Sequence, residues 1–182
     1  MGRRTITINR APVLTLWASV VARRLGFERD EALTLGGAVA GLTTHKGPQP
    51  RLVPPSPKAI KEKRRELKAG KRIEVELMQR AVPVVRTRQG LRALNRGRPI
   101  PPATVEQYLE LKFGDALKLV RNAMKRLARS MSAPEIAAQA DALYAQFRPR
   151  IPDGEPVWAA EGRLDLTRIA RLEKRKPVSR RG

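Results

Sequence analysis

The chain has 182 residues, 38 Lys and Arg against 17 Asp and Glu, a net charge of +21, and no cysteine. That length suits one buried core with at most a small appendage, and the missing cysteine excludes a disulfide framework, a thiolate metal site and a cysteine nucleophile. A positive surplus of this size repels itself unless a polyanion relieves it, so nucleic acid is the default partner class.

In chain order, Thr5-Ile6-Thr7-Ile8 alternates and predicts a short strand. Asn9 is a favourable N-cap for the helix that follows, and Pro12 is tolerated in its first turn. Val13, Leu16, Trp17, Val20, Val21 and Leu25 share one helical face, and Gly26 supplies the stop. Arg3-Arg4 ahead of the apolar run Ala11–Ala22 has the outline of a twin-arginine or secretory signal. The run is too short to span a bilayer and continues into a further helical pattern, which favours a core helix. A second helix is expected from about Glu28 to Leu42, with Glu28, Asp30 and Glu31 at its positive end.

Five prolines between Gly47 and Pro57 mark a linker or loop. Lys58–Ala69 reads as a charged helix ended by Gly70. Ile73, Val75 and Leu77 alternate with Glu74 and Glu76 and predict a strand, and Val82–Val85 a second, which Pro83 would confine to an edge. These two, with Ile6 and Ile8, are expected to make one small sheet. Gly90–Leu94 reads as a helical turn and Asn95–Pro102 as a loop. From Thr104 the strongest helical pattern runs through Val105, Tyr108, Leu109, Phe113, Leu117, Val120, Met124 and Leu127, with Gly114 a cost and not a break. Ser132-Ala-Pro-Glu135 is a capping box that opens a further helix lined by Ile136, Ala140, Leu143, Tyr144 and Phe147. Ile151–Gly162 reads as a loop containing Trp158, Leu164–Leu172 as a short helix, and Lys174–Gly182 as a disordered basic tail.

The expected fold is therefore mainly α: a single helical domain with a minor β element, a Pro-rich linker and a basic C-terminal tail. Residues 1–45 hold the N-terminal strand and helical hairpin, 46–98 the linker and basic segment, 99–172 the C-terminal helical part of the core, and 173–182 the tail. Charge follows nearly the same divisions. Residues 46–98 carry 16 basic and 4 acidic groups, whereas 99–170 carry 10 and 9.

Several motifs fall short of a catalytic or base-reading site. Val21–Phe27 has the outline of the first helix and turn of a DNA-binding helix-turn-helix. The would-be recognition helix opens Glu28-Arg-Asp-Glu31, which would set carboxylates against phosphates, so a packed helix pair is favoured. The same hairpin resembles part of the helical scaffold of HD-type phosphohydrolases, but that chemistry needs several His and Asp ligands and the chain has one His. Gly36–Gly41 lacks the Lys and hydroxyl of a phosphate loop, leaving close helix packing through Gly37 and Gly41. His45 reads as a loop histidine, and Glu74 with Glu76 as a solvated strand face.

Two basic features remain. Lys58, Lys61, Lys63, Arg64, Arg65, Lys68, Lys71 and Arg72 form a dense run, and Lys118, Arg121, Lys125 and Arg129 recur at helical spacing as a stripe opposite Val120, Met124 and Leu127. A straight basic stripe tracks a phosphate backbone, whereas the plain alternative is the polar face of an amphipathic helix. Aromatic platforms for unpaired bases are scarce. The expected function is sequence-tolerant nucleic-acid binding, DNA favoured over RNA, by Lys and Arg contacts to phosphate. The alternative is a non-enzymatic structural or interaction protein that binds an acidic protein or ribosomal RNA. No enzyme activity, cofactor or metal is expected. A cytoplasmic location without membrane association is expected, and homo-oligomerisation is left open.

Ile8-Asn-Arg-Ala-Pro-Val-Leu-Thr-Leu-Trp17, Arg24–Gly36, Ala81-Val-Pro-Val-Val-Arg86 and Tyr108–Leu117 together resemble an uncharacterised family of bacterial proteins of about this length. That resemblance implies a mainly helical protein and transfers no site.

Overall fold

A computed structural model describes residues 5–42, 72–151 and 161–174. The elements are β1 (Thr5–Asn9), α1 (Arg10–Leu25), α2 (Arg29–Leu42), β2 (Arg72–Leu77), β3 (Arg80–Thr87), β4 (Gly90–Asn95) and β5 (Arg98–Pro99). They are followed by α3 (Pro102–Phe113), a 3-10 turn at Gly114–Ala116, α4 (Leu117–Arg129), α5 (Ala133–Phe147), β6 (Glu161–Asp165) and α6 (Leu166–Leu172). The expectations for the Pro-rich stretch, the 58–69 helix, His45, Trp158, Arg3-Arg4 and the tail beyond Lys174 fall outside the described residues.

The architecture corrects the mainly α expectation. It is a mixture of helices with two antiparallel sheets, one in the order β2-β3-β4-β5 and one pairing β1 with β6. About 60% of the described residues are helical and 25% are strand. β1 does not join β2 and β3 in one sheet; it pairs with β6, Thr5 opposite Asp165 and Asn9 opposite Glu161. β6 also corrects the reading of 161–162 as loop and of Leu164 as helical, since strand runs from Glu161 to Asp165 before α6 begins, while 152–160 of that expected loop lie outside the described residues.

Helix α1 is the centre. It is buried continuously from Pro12 to Ala22, and its arginines lie only near the ends. A helix apolar on all sides has to be surrounded, and α1 packs against α2, α3, α4 and α5. Trp17 is fully buried, its indole N–H donates to the Ala140 carbonyl at 2.9 Å, and its ring meets Phe147 edge-on with centroids 5.2 Å apart. Asn9 does occupy the N-cap position, but its side chain does not cap the helix. At the other end Gly26 has φ 113°, its N–H bonds to the Arg23 carbonyl, and the Phe27 N–H bonds to that of Ala22. This Schellman closure, which needs the left-handed glycine, turns the chain straight into α2.

The expected close-packing glycines are also reassigned. A Cβ on Gly36 would lie 2.4 Å from the Thr15 carbonyl oxygen, whereas one on Gly37 meets only Val105 at 3.3 Å and one on Gly41 meets nothing within 4 Å. Gly36 therefore marks the point where the backbones of α1 and α2 touch.

The β2–β5 meander explains most of the missed strand. Two-residue turns with positive φ at Met78 and Gln79, and at Arg96 and Gly97, join its outer hairpins, the geometry that suits strand twist. β4, expected as a helical turn, is buried from Leu91 to Leu94 because α2 lies alongside it. Thr34 Oγ1 accepts the Ala93 N–H at 3.1 Å, and the Glu31 carboxylate accepts the Leu91 N–H at 2.9 Å, so side chains of α2 satisfy strand donors that β3 does not. β5 replaces part of the expected 95–102 loop. Pro83 lies in the inner strand β3 and not at an edge; the β3–β4 ladder starts one residue later, at Val84, so no ladder bond to β4 is lost.

The long pattern from Thr104 is broken at Gly114, where φ is 56° and a short 3-10 turn separates α3 from α4. Tyr108 is half-buried and not a core residue, while Phe113, Leu117, Val120 and Phe147 are buried as expected. The capping box holds: Ser132 Oγ accepts the Glu135 N–H at 3.3 Å and donates to its carboxylate at 3.1 Å. Among the described residues no helix is long and apolar enough to cross a membrane.

Tyr144 gives this core a pH signature. Burial pushes its phenol up to about 12 against the opposing charges of Arg10, Arg148 and Arg80, with Asp141 adding to the rise, and its hydroxyl donates to the Arg10 carbonyl at 3.2 Å. An unfolded tyrosine titrates near 10, so between these values the unfolded chain releases a proton that the folded chain keeps. Stability therefore falls as pH rises through that window, by roughly 2–3 kcal/mol at its upper end. Urea unfolding at intervals from pH 9 to 12 should show the parent losing that increment relative to Tyr144→Phe. Parallel losses in the two proteins would assign the effect to other groups.

Candidate functional site

The basic stripe on α4 forms as spaced. Leu117, Val120, Ala123, Met124, Leu127 and Ala128 face the core, and Lys118, Lys125 and Arg129 are exposed, with Arg121 half-buried. The fold adds what the stripe alone does not show. The Schellman turn sets the last turn of α1 beside the first turn of α2, and α4 packs across α1. Arg23, Arg24, Lys125 and Arg129 surround a depression of about 490 Å³. Arg23, Arg29, Arg121 and Lys125 surround a smaller one of about 160 Å³. Val20, Arg23 and Lys125 line both, so the two make one groove with cations from three helices.

These cations have different tasks. Arg24 is structural: its Nη2 donates to the Met131 carbonyl at 2.8 Å and its Nε to that of Ala128 at 3.3 Å, satisfying carbonyls around the end of α4. Arg121 holds Glu106 in a bidentate pair at 2.9 and 2.8 Å, and Arg29 Nη2 lies 4.0 Å from the same carboxylate. The Arg121 hydrogen bond draws the Glu106 carboxyl below its ordinary range, with desolvation opposing and the charges of Arg121, Arg29 and Lys125 assisting. That pairing contributes stability above the usual glutamate range, and the contribution is lost as pH falls through the depressed value. Arg126, beside the stripe, is 3.5 Å from Glu173.

Arg23, Lys125 and Arg129 make no ion pair with a carboxylate among the described residues. Arg23 Nη1 donates to the Phe27 carbonyl at 3.3 Å, and that bond holds its head at the mouth of the groove. Lys125 titrates below the usual lysine range, first because it is partly desolvated and then because Arg121, Arg129, Arg23 and Arg29 all repel its charge. One ammonium thus feels four guanidiniums from three elements, the local potential that draws in an anion.

Of the residues singled out from sequence, Arg121, Lys125 and Arg129 come together here. Lys118 is exposed at the start of α4 and lines neither depression. Arg72 lies away on β2, its Nη2 3.0 Å from the position a Cβ would take on Gly97 in the β4–β5 turn. Lys58, Lys61, Lys63, Arg64, Arg65, Lys68 and Lys71 fall outside the described residues. Arg23 and Arg29 join the groove without having been singled out; their signal was Gly26 between them, which reverses the chain. Glu74 is exposed, whereas Glu76 is half-buried with Oε2 enclosed and without a hydrogen-bond partner, and desolvation raises its carboxyl.

Helix α2 does not have the exposure of a recognition helix. It is buried from Glu31 to Gly36 and packs against α1, α3, β3 and β4, leaving no long face for a major groove. Comparison with family models, curated proteins and solved structures gives no match.

Proposed function

We propose that this protein binds nucleic acid without strong sequence preference, through phosphate contacts made in the α1–α2–α4 groove. One observation carries the reading: Arg23, Lys125 and Arg129, from two helices, meet at one groove without carboxylate partners among the described residues. Long cationic side chains lining a groove suit phosphate oxygens. The basic run at 58–72 adds cations to the same chain. DNA remains the favoured polymer, a binding role is favoured over catalysis, and a cytoplasmic location is part of the same reading.

The test is a titration of a labelled 20-base-pair duplex at several salt concentrations, repeated with an unrelated duplex. Replacing Arg23, Lys125 and Arg129 together by Gln should flatten the slope of log K against log salt by roughly 2–3, because about 0.9 counterion is released per phosphate neutralised. Glu106→Gln should act in the opposite direction and tighten binding, since it frees the charge of Arg121. An unchanged slope in the triple variant removes the groove from the reading. Tight binding of one duplex alone would replace phosphate contact by base readout.

A further inference from the structure

A second cationic concavity lies at the other end of α1. The strands β1 and β6 pair with Thr5 opposite Asp165 and Thr7 opposite Arg163. Side chains alternate across a strand. Ile8, Gly162 and Leu164 are accordingly buried, and Thr5, Thr7 and Arg163 are exposed on the outer face. That face, with Arg150 and Arg168, encloses a depression of about 440 Å³.

The arrangement is specified by the backbone and is not a chance scatter of surface charge. Arg150 and Arg163 exchange both main-chain hydrogen bonds, at 3.2 and 3.1 Å, which sets their side chains next to each other. A Cβ at Gly162 would lie 2.6 Å from the Arg150 carbonyl oxygen and 2.8 Å from Pro149 Cβ, so only glycine lets that segment close on β6. Asp165, the carboxylate that lines the depression, accepts the Thr167 N–H at 2.9 Å and caps α6, so its single charge faces three guanidiniums. Neither Arg150 nor Arg163 forms an ion pair among the described residues. Two like charges are thus held side by side, with threonine hydroxyls able to donate to the same oxyanion.

The ledge is also connected to the groove. Helix α6 begins at Leu166, just past Asp165, and just past its end Glu173 pairs with the Arg126 guanidinium of α4 and the Lys174 N–H donates to Ser130 Oγ. Arg171 is exposed along the way, and Arg129 lies one helical turn beyond Arg126. Along α1 the residues from Arg10 to Arg23 rise about 20 Å, so the two concavities lie several phosphates apart and not on one.

We propose that the β1–β6 ledge is a second phosphate site, built from Arg150, Arg163, Arg168, Thr5 and Thr7, and that one nucleic acid occupies it together with the groove by way of α6. This rests on the nucleic-acid reading of the groove and adds to it a footprint that only a sufficiently long duplex fills. Two sites on one ligand act through effective concentration, so a duplex spanning both binds far more tightly than one that reaches a single site.

The experiment compares a 4-base-pair hairpin duplex, about 14 Å long and too short to reach both sites, with a 20-base-pair duplex, on three full-length proteins: the parent, the groove triple variant, and a ledge variant with Arg150→Gln, Arg163→Gln and Arg168→Gln. Thermal melts should show all three folded, since Arg150 and Arg163 are exposed and Arg168 is half-buried outside the apolar core. The parent should favour the longer duplex by more than tenfold at 0.1 M salt. The ledge variant should lose most of that preference, and its salt slope on the longer duplex should flatten by roughly 2–3. A ledge variant with the parental slope and the parental length preference, beside a groove variant that is weakened, overturns the second site and leaves the groove reading intact. If the parent binds neither duplex at low salt, or an acidic polypeptide competes as well as DNA does, the nucleic-acid reading itself fails and the ledge proposal fails with it.

Discussion

Replacing Trp17 by Ala is expected to destabilise the protein by about 3–5 kcal/mol, the usual range for emptying a fully buried aromatic site. The site is poorly able to collapse. Trp17 sits in the middle of α1, which is enclosed by four other helices, and its ring packs at right angles to that of Phe147 on α5. Truncation also leaves the Ala140 carbonyl without the indole donor that it accepts from at 2.9 Å. For a chain of this length each kcal/mol moves the melting midpoint by about 2–4 °C, so a fall on the order of 10 °C or more should follow. Urea denaturation and calorimetry read it directly. Trp17→Phe keeps most of the packing and loses the hydrogen bond, and should fall between the two. A variant with Ala at 17 that melts within 2 °C of the parent would mean that α1 is not the centre of the core.

The helices were legible in the sequence because their signals are local. The period of Val13, Leu16, Trp17 and Val20, the stop at Gly26 and the box from Ser132 to Glu135 each need only a few neighbouring residues, and each reappears in the structure. Local apolar patterns also marked β1, β2 and β3, which are strands in the structure, whereas β4 and β6 were missed for a physical reason in each case. β4 is covered by α2 as well as paired in its sheet, so Leu91 to Leu94 are all buried and no alternation marks them. Its buried Arg92 breaks any apolar run, and Nη1 donates to the neighbouring Leu91 carbonyl at 2.8 Å. β6 contains Gly162 where a strand residue with a side chain would be expected, and its partner β1 is more than 150 residues away. Pairing at that separation leaves no trace in a local window.

The site divides in the same way. Helical spacing was enough to put Arg121, Lys125 and Arg129 on one side of α4. It did not show that Arg121 would be taken by Glu106, fifteen residues earlier on another helix. Nor did it show that Arg23 and Arg29 would close the groove, which depends on how α1 and α2 turn at Gly26 and how α4 crosses them. A count of charge located the positive segments, but which cations are free for a ligand is decided by carboxylates brought in through tertiary contact.

Gly36→Ala should destabilise the fold even though alanine is the better helix former. Away from contacts the exchange favours the helix by about 1 kcal/mol. At this position the added methyl would lie 2.4 Å from the Thr15 carbonyl oxygen, 3.0 Å from the Ser19 nitrogen and 3.1 Å from Ser19 Cβ. Two of these are main-chain atoms of α1, and no rotamer change moves them aside. The helices must therefore separate, and separation loosens the apolar contacts on both sides of the seam. Overpacking of this kind costs about 1–3 kcal/mol or more, which exceeds the gain in propensity. Gly37→Ala should be close to neutral, because its nearest neighbour is the Val105 side chain at 3.3 Å. At position 41 an added Cβ would meet no described atom within 4 Å, so Gly41→Ala should raise stability by a few tenths of a kcal/mol. Denaturant unfolding of the three single variants gives the order Gly41→Ala above Gly37→Ala above Gly36→Ala. A Gly36→Ala protein as stable as the parent would place the close contact of α1 and α2 elsewhere, and with it the turn at Gly26 that brings Arg23 and Arg29 to the same groove.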